Sequence, residues 1–121
     1  MPTYVAGDII RVCVEVKPRT TRKGICRVYA TFVHEADPTK EIELSDDPES
    51  RSYAQVQTED DVELRGLVVA GAHPTGEYRL KKMAVEYPGG RTVRFADPPD
   101  VAFRVVEEEI RSPEIAGWRW L

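Results

Sequence analysis

The residues of this sequence that could bind a metal ion or move a proton are few, and most stand apart. There are two histidines, His34 and His73. His34 is followed by Glu35 and Asp37, but no His-x-His or Cys-x-x-Cys spacing of a transition-metal site occurs. We therefore expect His34 to end a strand and be satisfied by solvent, and His73, which precedes a proline, to belong to a turn. The histidines predict no metal site.

Nucleophilic catalysis would need a thiol or hydroxyl beside a base. Cys13 and Cys26 are the two cysteines, and either could pair with His34 or His73. The strand pattern described below puts Cys26 in the core and Cys13 on the opposite face, so we expect two free thiols. No Gly-x-Ser-x-Gly, P-loop or dinucleotide fingerprint occurs. The sequence therefore predicts no catalytic residue, no cofactor and no enzyme.

Acidic side chains cluster at two places, Asp46, Asp47 and Glu49 and the run 59–61. Together they could offer Ca²⁺ several oxygen ligands. Their spacing matches no calcium-binding loop, and aspartate is common in turns because its side chain caps them. We interpret both clusters as turns and predict no metal ion.

A basic group falls in one predicted loop region and consists of Lys17, Arg19, Arg22, Lys23 and Arg27. Because the formal net charge of the chain is -4, we interpret this group as a solvated loop and expect no nucleic-acid partner.

No run approaches the roughly 20 apolar residues that span a bilayer, so we expect no membrane partner. The N-terminus also lacks the basic and apolar regions of a secretory signal. We expect a cytoplasmic protein if the chain is complete. For a fragment of a larger protein the compartment stays open.

The elements that must position these residues alternate between apolar and polar side chains, as half-buried strands do. The clearest stretch is 76–90, where apolar side chains fall into two sets: Tyr78 and Leu80, then Met83, Val85 and Tyr87. The step from Leu80 to Met83 would move the second set to the opposite face. One extra residue at Lys81–Lys82, forming a β-bulge, would restore the face.

The other predicted strands show the same alternation. Their expected buried side chains are Ile10, Val12, Val14, Val16; Cys26, Val28, Ala30, Phe32; Ile42, Leu44; Val62, Leu64, Leu67, Val69; Val93, Phe95; Val101, Phe103 and Val105. Residues 52–58 are predicted as an edge strand, and Gly66 is predicted to mark a bulge. Seven or eight short strands separated by turns predict an all-β antiparallel sandwich over residues 1–106.

The segment Gly76-Glu-Tyr-Arg-Leu80, the stepped Met83–Tyr87 strand and the Pro88-Gly-Gly90 turn resemble bacterial immunoglobulin-like domains. In that group a Gly-x-Tyr segment opens the penultimate strand, and a glycine-containing turn leads to the final one. The resemblance covers roughly residues 7–106 and implies an immunoglobulin-like antiparallel β-sandwich of seven to eight strands. The sequence lacks the tryptophan and cysteine pair of antibody domains. It therefore resembles the cysteine-independent sandwiches used as adhesion, spacer and interaction modules.

The C-terminal tail, residues 107–121, departs from the strand pattern and contains both tryptophans of the chain. Aromatic and arginine side chains are enriched in binding hot spots. We therefore predict that the tail contacts a protein partner or a second copy, the latter giving a homodimer, through Ile110, Ile115, Trp118, Arg119, Trp120 and Leu121. The alternative is that the tail docks on its own domain.

Three functions remain open on the sequence. The first is a non-enzymatic interaction or assembly module that uses the tail. The second is a carbohydrate or small-ligand binding module, with exposed aromatic rings as stacking platforms: Tyr4, Tyr53, Trp118 and Trp120. The third is an enzyme, which would need a cleft that joins His34 or His73 to a thiol or a carboxylate.

Overall fold

The structure is a computed structural model that describes residues 1–16, 20–21, 24–25, 27–46, 61–87, 89–109 and 113–121, with the backbone alone at 20–21 and 24–25. The chain is all-β, as predicted, and the described residues form ten strands and no helix. The strands are β1 (Thr3–Tyr4), β2 (Ile9–Glu15), β3 (Thr20–Thr21), β4 (Gly24–Ile25), β5 (Arg27–His34), β6 (Glu41–Ser45), β7 (Asp61–Leu67), β8 (Gly76–Glu86), β9 (Thr92–Arg94) and β10 (Ala102–Val105).

Eight of these strands form one nearly closed, barrel-like sheet in the order β1-β10-β8-β5-β6-β7-β2, with β9 added beside β8. β3 and β4 form a separate two-stranded sheet. The prediction of a purely antiparallel arrangement is wrong at one pair, because β1 joins β10 in parallel and makes the sheet mixed. Two residues carry too little alternation for the sequence pattern to predict β1.

β8 is the central strand, and it contains the predicted bulge. Thr31 of β5 pairs with Lys82, and the next residue, Phe32, pairs with Leu80, so Lys81 is the extra residue. The bulge returns the alternation to the core face, where Tyr78, Leu80, Met83 and Val85 are all buried. The prediction of a bulge at Lys81–Lys82 is confirmed.

Most of the predicted core is buried as expected, and its members are Ile10, Val16, Val28, Ala30, Phe32, Ile42, Leu44, Val62, Leu64, Phe103 and Val105. Val12 and Val14 are half-buried against this cluster. Cys26 and the predicted edge strand 52–58 lie outside the described residues.

The predicted bulge at Gly66 is wrong. The register of β7 against β2 runs unbroken through the pair Ile10–Gly66, so the alternation continues and turns Leu67 and Val69 outward, with Val68 buried instead. Gly66 faces inward where a Cβ atom would collide with Leu44 Cδ2 and lie 2.7 Å from the Glu43 carbonyl oxygen. Glycine is therefore needed for a close approach of two strands.

Val93, Phe95 and Val101 were also predicted to be buried, and all three are exposed. β9 has a single neighbour, β8, and among the described residues no second layer covers its three side chains. Alternation along a strand shows which side chains share a face, but a face is buried only if another layer packs on it.

Four aromatic rings fill the core near the start of β8. Phe103 lies at their centre, with ring centroids 5.6 Å from Tyr4, 4.9 Å from Phe32 and 5.5 Å from Tyr78. Aromatic pairs at these separations are stabilised beyond the burial of their area. The cluster joins β1, β5, β8 and β10 and fixes one wall of the cavity described next.

Candidate functional site

An apolar cavity of about 460 Å³ lies inside the sheet, between β2 and the opposite wall formed by β5, β8 and β10. Its deep walls are buried residues such as Phe32, Leu64 and Phe103. Its partly exposed lining residues include Val12 and Val101, which place the mouth between β2 and the segment that leads into β10. A volume of this size falls within the range of small-ligand sites, roughly 300–1,000 Å³.

A second cavity of about 200 Å³ continues from the first. The two share Val14, Met83 and Pro99, so they lie end to end along β2. Phe95 and Asp97 line the far end of the second cavity. We call the two cavities together the β2 groove. Its length along a strand suits an extended occupant.

Cys13 also lines the first cavity, and its side chain is exposed and not in a disulfide. The expected phase of this cysteine, opposite to the core-facing residues of β2, agrees with its exposure. Neither histidine is among the described residues that line this cavity with Cys13.

The predicted partner-binding residues of the tail are largely exposed. Ile115, Trp118, Trp120 and Leu121 have relative exposures of 83%, 76%, 88% and 114%, and Arg119 is exposed as well. The two indole rings contact each other edge to face at 6.0 Å. Ile110 lies outside the described residues.

The aromatic residues predicted as a sugar-stacking platform do not form one in the described part of the chain. Tyr4 packs its ring edge-on against Phe103, where it is half-buried, and Tyr53 lies outside the described residues. Trp118 and Trp120 are in the tail and belong to no strand.

His34 is buried, and backbone groups rather than solvent satisfy it. Its Nε2 donates to the Thr75 carbonyl at 2.8 Å, while Nδ1 accepts from the backbone N–H groups of Ala36 and Asp37 at 3.0 and 3.1 Å. Both ring nitrogens are thus used, and neither is available to a metal ion or a substrate. The sequence places His34 on the core face but gives no sign of these partners, which come from two loops.

His73 lies in a turn, as predicted. Its Nδ1 accepts from the Val69 backbone N–H at 2.8 Å, and burial lowers the pKa of the ring. Within the described ranges, no group of three or more histidine, cysteine, aspartate or glutamate side chains is arranged to hold a metal ion. Of the two acidic clusters predicted as turns, Asp46 and Asp61 are described, and they lie at the end of β6 and the start of β7.

The basic group is represented by Arg27, since its other four members lie outside the described residues. The Arg27 guanidinium lies 5.4 Å from the centre of the Tyr29 ring, and its Nε donates to the Asp46 carbonyl at 3.1 Å. These contacts give Arg27 a structural role at the start of β5.

Arg79 of β8 is surrounded by carboxylates on the exposed face. Its Nε lies 3.2 Å from Glu35, its second terminal nitrogen lies 3.8 Å from Glu77, and Asp100 also pairs with it. A hydrogen bond between the two glutamates raises the pKa of Glu77 and lowers that of Glu35. Because these groups are open to water, screening keeps the ion pairs weak, and we assign them no function.

Glu63 is a buried carboxylate that the sequence analysis did not single out. It pairs across the strands with Cys13, and its Oε1 accepts from Arg11 Nε and, at 3.3 Å, from Arg65 Nε. The hydrogen bond from Arg11 lowers the pKa of Glu63 despite its burial. The signal available in the sequence was a glutamate between two core residues of one strand. Its cross-strand partner, Cys13, lies two positions from Arg11 on the neighbouring strand.

We expect Glu63 to stabilise the protein in a pH-dependent way. Its folded pKa is lowered, so its contribution is present above the unfolded value of about 4.3 and is lost as the pH falls through the folded value. The difference in free energy of unfolding between the parent and Glu63→Gln should therefore be largest above about pH 5 and shrink in more acid solution. Urea titrations at several pH values measure it.

The control for this experiment is Glu77→Gln, because the pKa of Glu77 is raised. The contribution of Glu77 to stability is therefore lost as the pH rises through its folded pKa. The difference in free energy of unfolding between the parent and Glu77→Gln should change with pH in the direction opposite to that for Glu63→Gln. A constant difference for Glu63→Gln across the acid range would contradict the role given to its charge.

No protein-family model matches the chain, and no curated protein and no solved structure is significantly similar to it. Among the residues described, no helix has the length and apolar character needed to cross a bilayer. The assignment of function therefore rests on the β2 groove and the tail.

Proposed function

We propose that this protein is a non-enzymatic interaction or assembly module that binds a protein partner or a second copy of itself through its C-terminal tail. The exposure of Ile115, Trp118, Trp120 and Leu121 carries the proposal. Four large apolar side chains within seven residues have a strong tendency to leave water, and tryptophan with a neighbouring arginine is the composition of binding hot spots.

The proposal includes an immunoglobulin-like sandwich as the fold, and two observations support this fold. The Tyr78 hydroxyl donates to the Pro74 carbonyl at 2.6 Å, as a tyrosine near the start of the penultimate strand does in immunoglobulin-like domains. In the described part of the chain β6 and β7 are joined by one residue pair, Ser45 with Arg65. This single pairing favours a division of the sheet into a six-stranded part, formed by β1, β10, β8, β9, β5 and β6, and the β7–β2 pair, with both parts contributing to one core.

A second candidate is the binding of a small apolar ligand, and the β2 groove favours it. Among the described residues that line the larger cavity there is no charged side chain, which suits an acyl chain or an aromatic ring. A carbohydrate would need several polar side chains to pair with its hydroxyl groups, and the described lining of this cavity does not offer them. A small ligand and a peptide segment would compete for the same groove.

Replacement of both tail tryptophans tests the first candidate. We expect Trp118→Ser combined with Trp120→Ser to weaken self-association by about 30-fold or more, because truncation of a hot-spot residue costs roughly 2 kcal/mol or more. Sedimentation velocity over a concentration series measures the association constant, and urea titration checks that the sheet is still folded.

The matched control is Ile9→Ser, which removes an exposed apolar side chain from the outer face of β2. We expect this variant to associate as the parent does. Equal weakening by Ile9→Ser would indicate unspecific adhesion, and an unchanged association constant in the tryptophan variant would refute the tail as the contact.

A further inference from the structure

We infer that the receptor for the tail is the β2 groove of a second copy of this chain. Residues 113–121 would lie extended along β2 of the partner, with Trp118 and Trp120 in its apolar cavities. Each of the two copies would place its tail in the groove of the other. This inference rests on the proposed function and adds to it the identity of the partner and the seat of the tail.

The dimensions of the groove and of the tail agree. β2 has seven residues and the groove follows its length, which is about 23 Å at the rise of a strand. The nine residues of the tail are in no helix or strand and reach at most about 30 Å when extended. A compact small molecule would fill one cavity, whereas an extended segment can enter both.

The side chains of the tail agree with the two kinds of surface that the groove presents. In an extended segment Trp118 and Trp120 point to the same side, and Arg119 points away from them. Two indoles on one side match the apolar lining around Phe103 and Leu64. Asp97 is exposed at the rim of the second cavity, so its carboxylate offers the outward-pointing Arg119 a complementary charge outside the cavities.

The chain's own tail does not fill its groove in the structure, which leaves the groove open to the tail of a second copy. Within one chain the tail side chains remain largely exposed, and Trp118 and Trp120 contact each other. The exposed residues Glu107–Glu109 separate them from Val106, where the chain leaves β1.

A reciprocal exchange would also bury enough area for a stable dimer. Each buried tryptophan contributes about 150–250 Å², so the four tryptophans of such a dimer bury on the order of 600–1,000 Å². The groove surfaces that they cover bring the interface into the range of specific complexes, roughly 1,200–2,000 Å². The exchange is a closed twofold arrangement and therefore gives a dimer, not a filament.

A mixing experiment with single thiols tests this inference. All variants carry Cys26→Ser. The groove copy keeps Cys13, whose exposed thiol lies on the outer side of β2 beside the larger cavity, where the outward-pointing residue 119 of a docked tail would also lie, and the tail copy carries Cys13→Ser with Arg119→Cys. Both tryptophans are kept. The copies are mixed under a mild oxidant that removes two electrons and two protons for each disulfide, and mass spectrometry identifies the linked pairs.

We expect the mixed disulfide between the groove copy and the tail copy to be the main product. The control groove copy carries Cys13→Ser with Leu67→Cys, which puts an exposed thiol on the outer face of β7. The yield with Cys13 should exceed the yield with this control on the order of tenfold, because a seated tail gives the two thiols a high effective concentration.

Equal yields from the two thiol positions would overturn the inference. If sedimentation of the parent still depends on the tail, the proposed function survives that result, and without such dependence both fail. A single chain with Cys13 and Arg119→Cys that closes its own disulfide as a monomer would show the tail in its own groove and would also overturn it. A third result would overturn the inference as well. If 1-anilinonaphthalene-8-sulfonate, a dye that binds apolar surfaces, bound equally to the full chain and to a chain ending at Glu109 under conditions of dimerisation, the groove of the full chain would be open.

Discussion

Gly76→Ala is expected to destabilise the protein by about 3–5 kcal/mol, the sum of backbone strain and a steric clash. Gly76 has a φ of 140°, which residues other than glycine rarely adopt. A Cβ atom there would collide with Nε2 of the buried His34 and lie 2.9 Å from its Cε1. His34 would have to move and would lose its hydrogen bond to the Thr75 carbonyl.

Gly71→Ala separates the two effects. Gly71 also has a positive φ, 82°, but an added Cβ has no atom within 4 Å. This variant should lose only the backbone term, about 1–2 kcal/mol. Urea denaturation of both variants gives the difference, and equal losses at the two positions would contradict the steric role of His34.

A double-mutant cycle with His34 tests the same steric clash. In a His34→Ala background the clash with the ring is removed, so Gly76→Ala should cost less than it does in the parent. A double-mutant cycle measures this interaction, which is expected only between residues in direct contact. Additive losses would show that Gly76 is constrained by its backbone alone.

The sequence predicted the face of most core residues correctly, because alternation reports the local geometry of one strand at a time. It also located the bulge in β8, since the step from Leu80 to Met83 breaks the alternation within a single stretch. The same reasoning failed at Gly66, where the cause is not local. The glycine is required by the approach of Leu44 and the Glu43 carbonyl from another strand.

The candidate site was only half predictable. The tail was evident from composition, because two tryptophans and an arginine stand together beyond the last strand. The β2 groove was not, since it arises from the distance between β2 and the opposite wall, and no residue type marks a space. Val101 shows the limit, because it was predicted as core but is an exposed lining residue of the cavity.

Removal of the tail is expected to have the largest effect on assembly. A chain ending at Glu109 loses Ile115, Trp118, Trp120 and Leu121, all of them exposed within one copy. If these side chains form the contact, their removal leaves nothing to fill the groove of a partner. The sheet should keep its stability in the monomer, because its core residues come from Val105 and earlier in the chain.

Light scattering on a sizing column, with the full chain and the chain ending at Glu109 at the same concentration, tests the role of the tail most directly. Thermal melting of both chains accompanies it. The account predicts a dimer for the full chain and a folded monomer for the shortened one. Two monomers, with the shortened chain melting at a lower temperature, would contradict it and would make the tail part of its own domain.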